Sequence, residues 1–165
     1  MRIERPSRTG GIIKLAASVL VCLAVGYIGS LATTPSIPTW YANLAKPAFN
    51  PPNAVFGPVW TLLFILMGIS AYVVWAKGLA HRGVKTGLVL FIVQLALNLL
   101  WSVIFFALHQ PLWAFCEIVL LWVAILLTII SFIRVSRFAG WLMIPYILWV
   151  SFASVLNFSV YLLNR

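Results

Sequence analysis

Five long stretches without a charged side chain constrain the fold of this chain more than any other feature. A helix needs about 20 mostly apolar residues to cross a bilayer. Four stretches exceed that length, and the run ending at Ile133 reaches it when it begins near Pro111 and includes Glu117. The charge-free stretches are Leu15–Ala45, Pro47–Ala76, Thr86–Cys116, Ile118–Ile133 and Phe138–Asn164.

The composition agrees with a chain that is embedded in a membrane. The 165 residues are 64% hydrophobic and only 8% charged, whereas ordinary soluble domains are roughly 25% charged. We therefore predict an all-α integral membrane protein, a five-helix bundle in one domain covering 12–163 after a basic cytoplasmic tail, 1–11. The predicted spans are 12–33, 53–76, 84–107, 111–133 and 139–162. Pro145 is predicted to kink the fifth span near its start, because proline deletes a backbone hydrogen bond.

The net charge of +9 is distributed in a way that indicates topology rather than nucleic-acid binding. In the five-span prediction, nine basic residues fall on one side and only Lys46 and Arg165 on the other. Basic residues favour the cytoplasmic side of a membrane. The N-terminus is therefore predicted in the cytoplasm and the C-terminus outside. The first stretch could be mistaken for a secretory signal, but it is longer than the usual signal core of about 7–15 residues, and we interpret it as a retained span.

Residues for catalysis or metal binding are scarce. The chain has two cysteines and two histidines, and their predicted positions do not bring them into a metal-binding spacing. We predict no metal, no cofactor and no catalytic residue. Glu117 is the only acid in the membrane region. It could relay protons or act as a counter-ion, or it could reach the loop edge or pair with a helix N-terminus.

The connection 34–52 is the only long one, and it contains the segment WYANLAKPAFNPP. Its prolines restrict the backbone, and its aromatic residues and low charge argue against disorder. It is predicted to cap one end of the bundle. An aromatic belt at the membrane interface is the alternative.

Polar and aromatic residues recur on one face of three predicted spans. If the three faces converge, they line a cavity with apolar walls and a few oriented polar groups, as small-molecule sites require. The alternative is that amides and small residues hold the helices together. The faces carry Trp60 and Phe64 in the second span, Gln94, Asn98 and Trp101 in the third, and Tyr146, Trp149, Ala153 and Asn157 in the fifth.

Three ordered motifs resemble the TspO/MBR family of translocator proteins, also called tryptophan-rich sensory proteins or peripheral-type benzodiazepine receptors. They are WYANLAKPAFNPPNAVFGPVWTLLF, QLALNLLWSVIFF and PYILWVSFASVLN. The resemblance covers about residues 12–163. It implies a multi-pass protein of the bacterial cell membrane that binds porphyrins such as protoporphyrin IX, haem, sterols or synthetic drugs. It also implies a homodimer as the usual assembly.

The resemblance further implies a ligand pocket beneath the first loop, which would act as a preorganised lid. By motif, the pocket would include Tyr41, Pro51, Trp60, Phe64, Asn98, Trp101, Tyr146, Trp149, Ala153 and Asn157. A family-like sterol pattern would be Leu156, Tyr161 and Arg165.

Two positions depart from the family pattern. Phe49 stands where many relatives have tryptophan, and Phe158 stands where some do. Phenylalanine lacks the indole N–H. Porphyrin degradation, proposed for some members, involves tryptophans, so these departures weaken that interpretation, although Trp60 remains. The leading expectation is tetrapyrrole binding with a sensory or regulatory role. Transport of porphyrin or sterol, porphyrin modification, and a ligand-free assembly role are the alternatives.

Overall fold

The computed structural model describes residues 8–165, and all the regular secondary structure in that range is helical. Five helical segments are long and apolar enough to cross a membrane, which confirms the predicted five-span architecture. The first residues of the predicted tail, 1–7, lie outside the described range, while 8–11 already belong to the first helix. The helices are α1 (Arg8–Thr33), α2 (Asn53–Trp75), α3 (Val84–Ser102), α4 (Pro111–Val135), α5 (Arg137–Leu142) and α6 (Ile144–Leu163).

The first helical segment is longer than the sequence prediction, because the chain does not leave the helix at residue 34. A 3-10 turn over Thr34–Ser36 and a π-helical turn over Ile37–Tyr41 continue it. Each turn contains one proline, Pro35 or Pro38, and each proline lacks the N–H that would bond to the preceding turn. The two prolines therefore reshape the helix without ending it, and the non-helical loop is correspondingly shorter than predicted.

The fifth span is divided, as Pro145 led us to expect. Helix α5 ends at Leu142, α6 begins at Ile144, and Pro145 occupies the first turn of α6. Proline removes a backbone donor and clashes with the preceding turn of a helix interior. Buried Ser70 of α2 fixes the short helix, since its hydroxyl donates to the Ala139 carbonyl oxygen at 2.7 Å.

Small residues allow the closest helix contacts. A Cβ atom added at Gly68 of α2 would lie 2.6 Å from the Val19 Cα atom of α1, so only glycine permits this approach. Gly87 likewise lets α3 approach α4 closely, since an added Cβ would lie 3.1 Å from the ring of Phe132. Gly87 therefore serves packing between α3 and α4 within the chain.

The two ends of the bundle differ in charge. One end, called here the basic end, carries the turns with Lys77, Arg82 and Lys85 and the α4–α5 junction with Arg134 and Arg137. The opposite end, called the loop end, carries the connection between α1 and α2 and the end of α6. Within the described residues its lysines and arginines are Lys46 and Arg165.

Candidate functional site

A cavity of about 550 Å³ lies inside the bundle near the loop end. Its walls come from α1 and its extension, from α2, from α3 and the turn after it, and from α6. Among the described residues that line it, none carries a charged side chain. The volume lies within the range typical of small-molecule pockets, and the wall chemistry suits an apolar, flat occupant.

The structure brings together eight of the ten residues that the motifs indicated. They come from the end of the first helical segment and from three of the long helices, so the predicted faces do converge. The eight that line the cavity are Tyr41, Trp60, Phe64, Asn98, Trp101, Trp149, Ala153 and Asn157.

Pro51 and Tyr146 are not part of the lining. Tyr146 is fully buried and lies behind the wall, where its ring contacts Trp60 at a centroid distance of 6.2 Å. Pro51 lies in the loop, and its carbonyl oxygen accepts a hydrogen bond from the Asn50 amide at 3.1 Å. Tyr146 thus supports Trp60, which lines the cavity, whereas Asn50, the partner of Pro51, does not line it. Helical periodicity and loop motifs do not distinguish a wall from the layer behind it.

The amides of the lining also join helices. The Trp101 indole N–H donates to Asn157 Oδ1 at 3.0 Å, and Asn157 Nδ2 donates to the Pro111 carbonyl oxygen at 2.8 Å. Asn98 Nδ2 donates to the Tyr146 hydroxyl at 3.0 Å. The two interpretations of the polar stripes are therefore compatible, since the same side chains line a cavity and fasten α3 to α4 and α6.

Several polar atoms of the lining residues have no hydrogen-bond partner among the described residues, and Asn98 and Trp149 carry two of them. Asn98 uses its nitrogen in the bond to Tyr146, and its carbonyl oxygen has no hydrogen bond. The Trp149 indole N–H is buried and also unpaired. Buried polar groups are normally hydrogen-bonded. The Asn98 oxygen on α3 is therefore an acceptor available to a ligand, whereas the Trp149 N–H on α6 is enclosed by protein and is not exposed to the cavity.

Helix α1 contributes lining residues that sequence reasoning missed. Gly26, Gly29, Ser30 and Thr33 line the cavity and follow the spacing i, i+3, i+4 and i+7, which is one helical face. The small side chains let α1 lie close to the cavity; Gly26, for example, faces the ring of Phe64. This stripe was visible in the sequence, but small residues in a membrane helix are equally typical of plain packing.

Two π-helical turns build the loop end of the cavity. One is Ile37–Tyr41, and the other is Val103–Ala107, directly after α3. They pack on each other: Tyr41 contacts Phe106 at a centroid distance of 5.7 Å, and Ser36 donates to the Phe106 carbonyl oxygen at 2.6 Å. π-helical turns are rare and frequent at functional sites, and both turns here supply cavity residues.

The loop is fastened across the loop end of the bundle, as the capping prediction requires. Asn164, at the end of α6, exchanges two hydrogen bonds of 2.9 Å with the backbone of Ala45. Trp40 stacks on His109 of the α3–α4 turn at 4.4 Å between ring centroids. The Tyr41 hydroxyl donates to Asn50 Oδ1 at 3.0 Å. The loop thus contacts both the α3–α4 turn and the end of α6.

Glu117 is neither at a loop edge nor paired with a helix N-terminus. It is 5% exposed, it does not line the cavity, and neither carboxyl oxygen has a hydrogen-bond partner among the described residues. Without a partner, the carboxyl contributes no hydrogen bond or ion pair to stability. If ionised there, it would be costly, because an unpaired charge is unfavourable inside a membrane protein.

We expect Glu117→Gln to unfold in detergent at the same temperature as the parent or a higher one. The amide has nearly the same shape and removes the possibility of a buried negative charge. Thermal unfolding followed by circular dichroism, with Glu117→Leu as a second variant, measures this. A clear loss of stability in Glu117→Gln alone would show that the carboxyl has a partner specific to its charge.

The remaining candidate residues are dispersed. Leu156 is buried and lines the cavity, whereas Tyr161 packs beside Phe158 and Arg165 is exposed at the chain end. Leu156 and Tyr161 do not share a face, because five residues turn a helix well past one full rotation, and Arg165 lies beyond the end of α6. Cys22 is buried and Cys116 is exposed. Residues 8–165 contain no cluster of His, Cys, Asp or Glu suited to a metal ion.

A helical membrane protein with an uncharged internal cavity under a fastened loop is the class that fold and site define. The TspO/MBR family model matches residues 18–163. The chain is 47% identical to the tryptophan-rich protein TspO of Archaeoglobus fulgidus over 93% of this chain and 98% of that protein. It is 40% identical to the human translocator protein over 74% and 73%, and 34% identical to the tryptophan-rich sensory protein of Cereibacter sphaeroides over 82% and 85%. The chain belongs to the TspO/MBR family.

Proposed function

We propose that the protein binds tetrapyrroles such as protoporphyrin IX, or apolar molecules of similar shape, and serves a sensory or regulatory role. The observation that carries the proposal is the 550 Å³ cavity walled by aromatic side chains and free of lining charge in the described residues. Flat aromatic ligands pack well against Trp60, Trp101 and Trp149, since aromatic rings favour stacked or edge contacts. The name of the Cereibacter sphaeroides relative includes a sensory role.

Acid–base or nucleophilic chemistry has no support in the lining. Among the described lining residues there is no histidine, cysteine, aspartate, glutamate or lysine. The described lining also lacks methionine, so tyrosine, present as Tyr27 and Tyr41, is the one axial ligand type of haem proteins that it offers. The chemistry of the wall therefore favours binding over catalysis. We expect a metal-free porphyrin to bind at least as well as haem.

Fluorescence quenching tests the proposal directly. Purified protein in a nonionic detergent is titrated with protoporphyrin IX, haem and a sterol, and tryptophan emission is followed. We expect saturable quenching by protoporphyrin IX, and weaker binding after Trp60→Ala, because that variant removes an aromatic wall. Trp141→Ala is the matched control, since Trp141 is 69% exposed and does not line the cavity. Quenching that does not saturate, or equal loss in both variants, would contradict the proposal.

Transport of the same ligands is the second candidate. The cavity lining includes exposed residues along the seam of α1 and α2, namely Tyr27, Gly57 and Thr61, which favours ligand exchange with the surrounding lipid. The name of the human relative refers to translocation. Protein-dependent porphyrin flux across reconstituted vesicles would support this candidate, whereas saturable binding without flux would support the sensory role.

We also propose that the basic end faces the cytoplasm and the loop end faces outward in a bacterial cell membrane. The uneven distribution of lysine and arginine supports this orientation. Single cysteines introduced by Ala48→Cys and Arg82→Cys, in a chain with Cys22→Ala and Cys116→Ala, test it, since both positions are exposed. We expect an impermeant thiol reagent added to intact cells to label only the Ala48→Cys protein. The opposite pattern would invert the topology.

A further inference from the structure

We propose that Lys46 is an anchor for a carboxylate of the bound ligand, so that the protein selects apolar molecules that carry an acidic group. This inference rests on the proposed function and narrows its ligand class. It would favour tetrapyrroles with free propionate groups over neutral sterols and porphyrin esters.

The cavity itself cannot neutralise an anion. The described lining offers aromatic rings, aliphatic side chains, hydroxyls and amides but no cation. Burying an unpaired carboxylate in such surroundings is costly. A ligand with an acidic group must therefore place that group at an edge of the cavity, next to water or to a positive charge.

Lys46 is a basic residue of the loop end that contacts the cavity wall directly. Its ammonium lies 4.7 Å from the centroid of the Tyr41 ring, and Tyr41 lines the cavity. One aromatic ring thus separates the cation from the space where the ligand body would lie. Arg165, the other basic residue of this end, is exposed at the end of the chain.

The ammonium is positioned but not neutralised. It donates to the carbonyl oxygens of Ala42 at 3.2 Å and Leu44 at 3.0 Å, and no carboxylate side chain pairs with it among the described residues. Glu117, the acid of the described chain, is buried within α4. An ammonium has three donors, so one donor remains for a ligand oxygen after the two carbonyl bonds.

The loop holds Lys46 in this place. The two hydrogen bonds between Ala45 and Asn164 fix the residue directly before it to the end of α6. The ring face of Tyr41 and the two carbonyl bonds restrict the rest of the side chain. A cation held in advance loses less side-chain entropy when it binds an anion, so the arrangement favours binding.

A comparison of an acid with its ester tests the anchor. The ligands are protoporphyrin IX and its dimethyl ester, which share the apolar ring system and differ in charge. The proteins are the parent, Lys46→Met, Lys46→Arg, and Lys77→Met as a control that removes one positive charge from the basic end. Dissociation constants are measured by tryptophan quenching in one nonionic detergent.

We expect Lys46→Met to weaken binding of the acid by roughly tenfold or more, as for a lost hydrogen bond to a charged group. The ester should bind Lys46→Met and the parent within a factor of two. Lys46→Arg should restore most of the affinity for the acid, and Lys77→Met should leave it unchanged.

Equal weakening of acid and ester in Lys46→Met would overturn the anchor, because it would show that Lys46 only supports the loop. An unchanged affinity for the acid would overturn it as well. If the parent binds neither porphyrin, the proposed function falls together with the anchor. Binding of both porphyrins by the parent, with no acid-specific effect of Lys46→Met, removes the anchor alone and leaves the proposed function intact.

Discussion

Replacing Gly68 with alanine is expected to destabilise the bundle by about 2–3 kcal/mol, as overpacking in a filled core does. The added Cβ would lie 2.6 Å from the Val19 Cα atom and 3.0 Å from the Ser18 carbonyl oxygen. Both atoms belong to backbone, which cannot rotate away as a side-chain tip does. Helix α1 would have to move off α2, and the contacts along that seam would be lost.

Gly57→Ala in the same helix is the matched control. Apart from its chain neighbours, an added Cβ there meets nothing within 4 Å. Alanine favours a helix over glycine by about 1 kcal/mol, and the following Pro58 offsets part of that gain. The two substitutions are chemically identical, yet Gly68→Ala should lower the unfolding temperature in detergent far more than Gly57→Ala. Equal shifts for both variants would contradict the close contact between α1 and α2.

Ala153→Phe is expected to lower the affinity for protoporphyrin IX by at least tenfold, which corresponds to about 1.4 kcal/mol. Ala153 lies on α6 and lines the cavity, so a benzyl group there would occupy the volume that the ligand needs. Some loss of stability is also expected, because Ala153 is buried in the core and a larger side chain there disturbs packing as well as entering the cavity.

Val155→Phe is the control for this prediction. Val155 is two residues further along α6 and is 58% exposed, so the same ring would point away from the cavity. Titration of both variants with porphyrin, together with their unfolding temperatures, separates blocked binding from damaged folding. If Ala153→Phe binds as tightly as the parent, the ligand does not lie in this cavity.

The two experiments test different properties of the same helix bundle, namely its folding and its ligand binding. The contact at Gly68 brings α1 to α2, and the small residues further along α1 then form one wall of the cavity. Close packing at one part of the seam and open space at another are both consequences of side-chain size. A change at Gly68 should therefore affect folding first, whereas a change at Ala153 should affect binding first.

Several features of the site were predictable from the sequence because they are local. Helical periodicity placed Asn98 and Trp101 on one face and Trp149, Ala153 and Asn157 on another, and these residues do line one cavity. Pro145 predicted the break in the fifth span. Such predictions succeed because the spacing along one helix determines which side chains share a face.

Other features depend on which faces meet. No spacing rule pairs Asn164 with Ala45, since 119 positions separate them along the chain. The same holds for the bond between Asn98 and Tyr146, which puts Tyr146 behind the wall rather than in it. The helical course of the chain after residue 33 also required the structure, because proline at the start of a helical turn and proline in a loop look alike in a sequence.

The sequence by itself determined the number of spans, their approximate bounds and the aromatic, uncharged character of the residues that face inward. A bilayer imposes that outcome, because every backbone polar group in lipid must be bonded within a helix. Only the tertiary structure decided that α1 supplies a cavity wall, that two π-helical turns form its loop end, and that Lys46 stays unneutralised beside Tyr41 in the described chain. These features follow from contacts between distant segments, and close packing of particular side chains determines such contacts more than the pattern within any one segment.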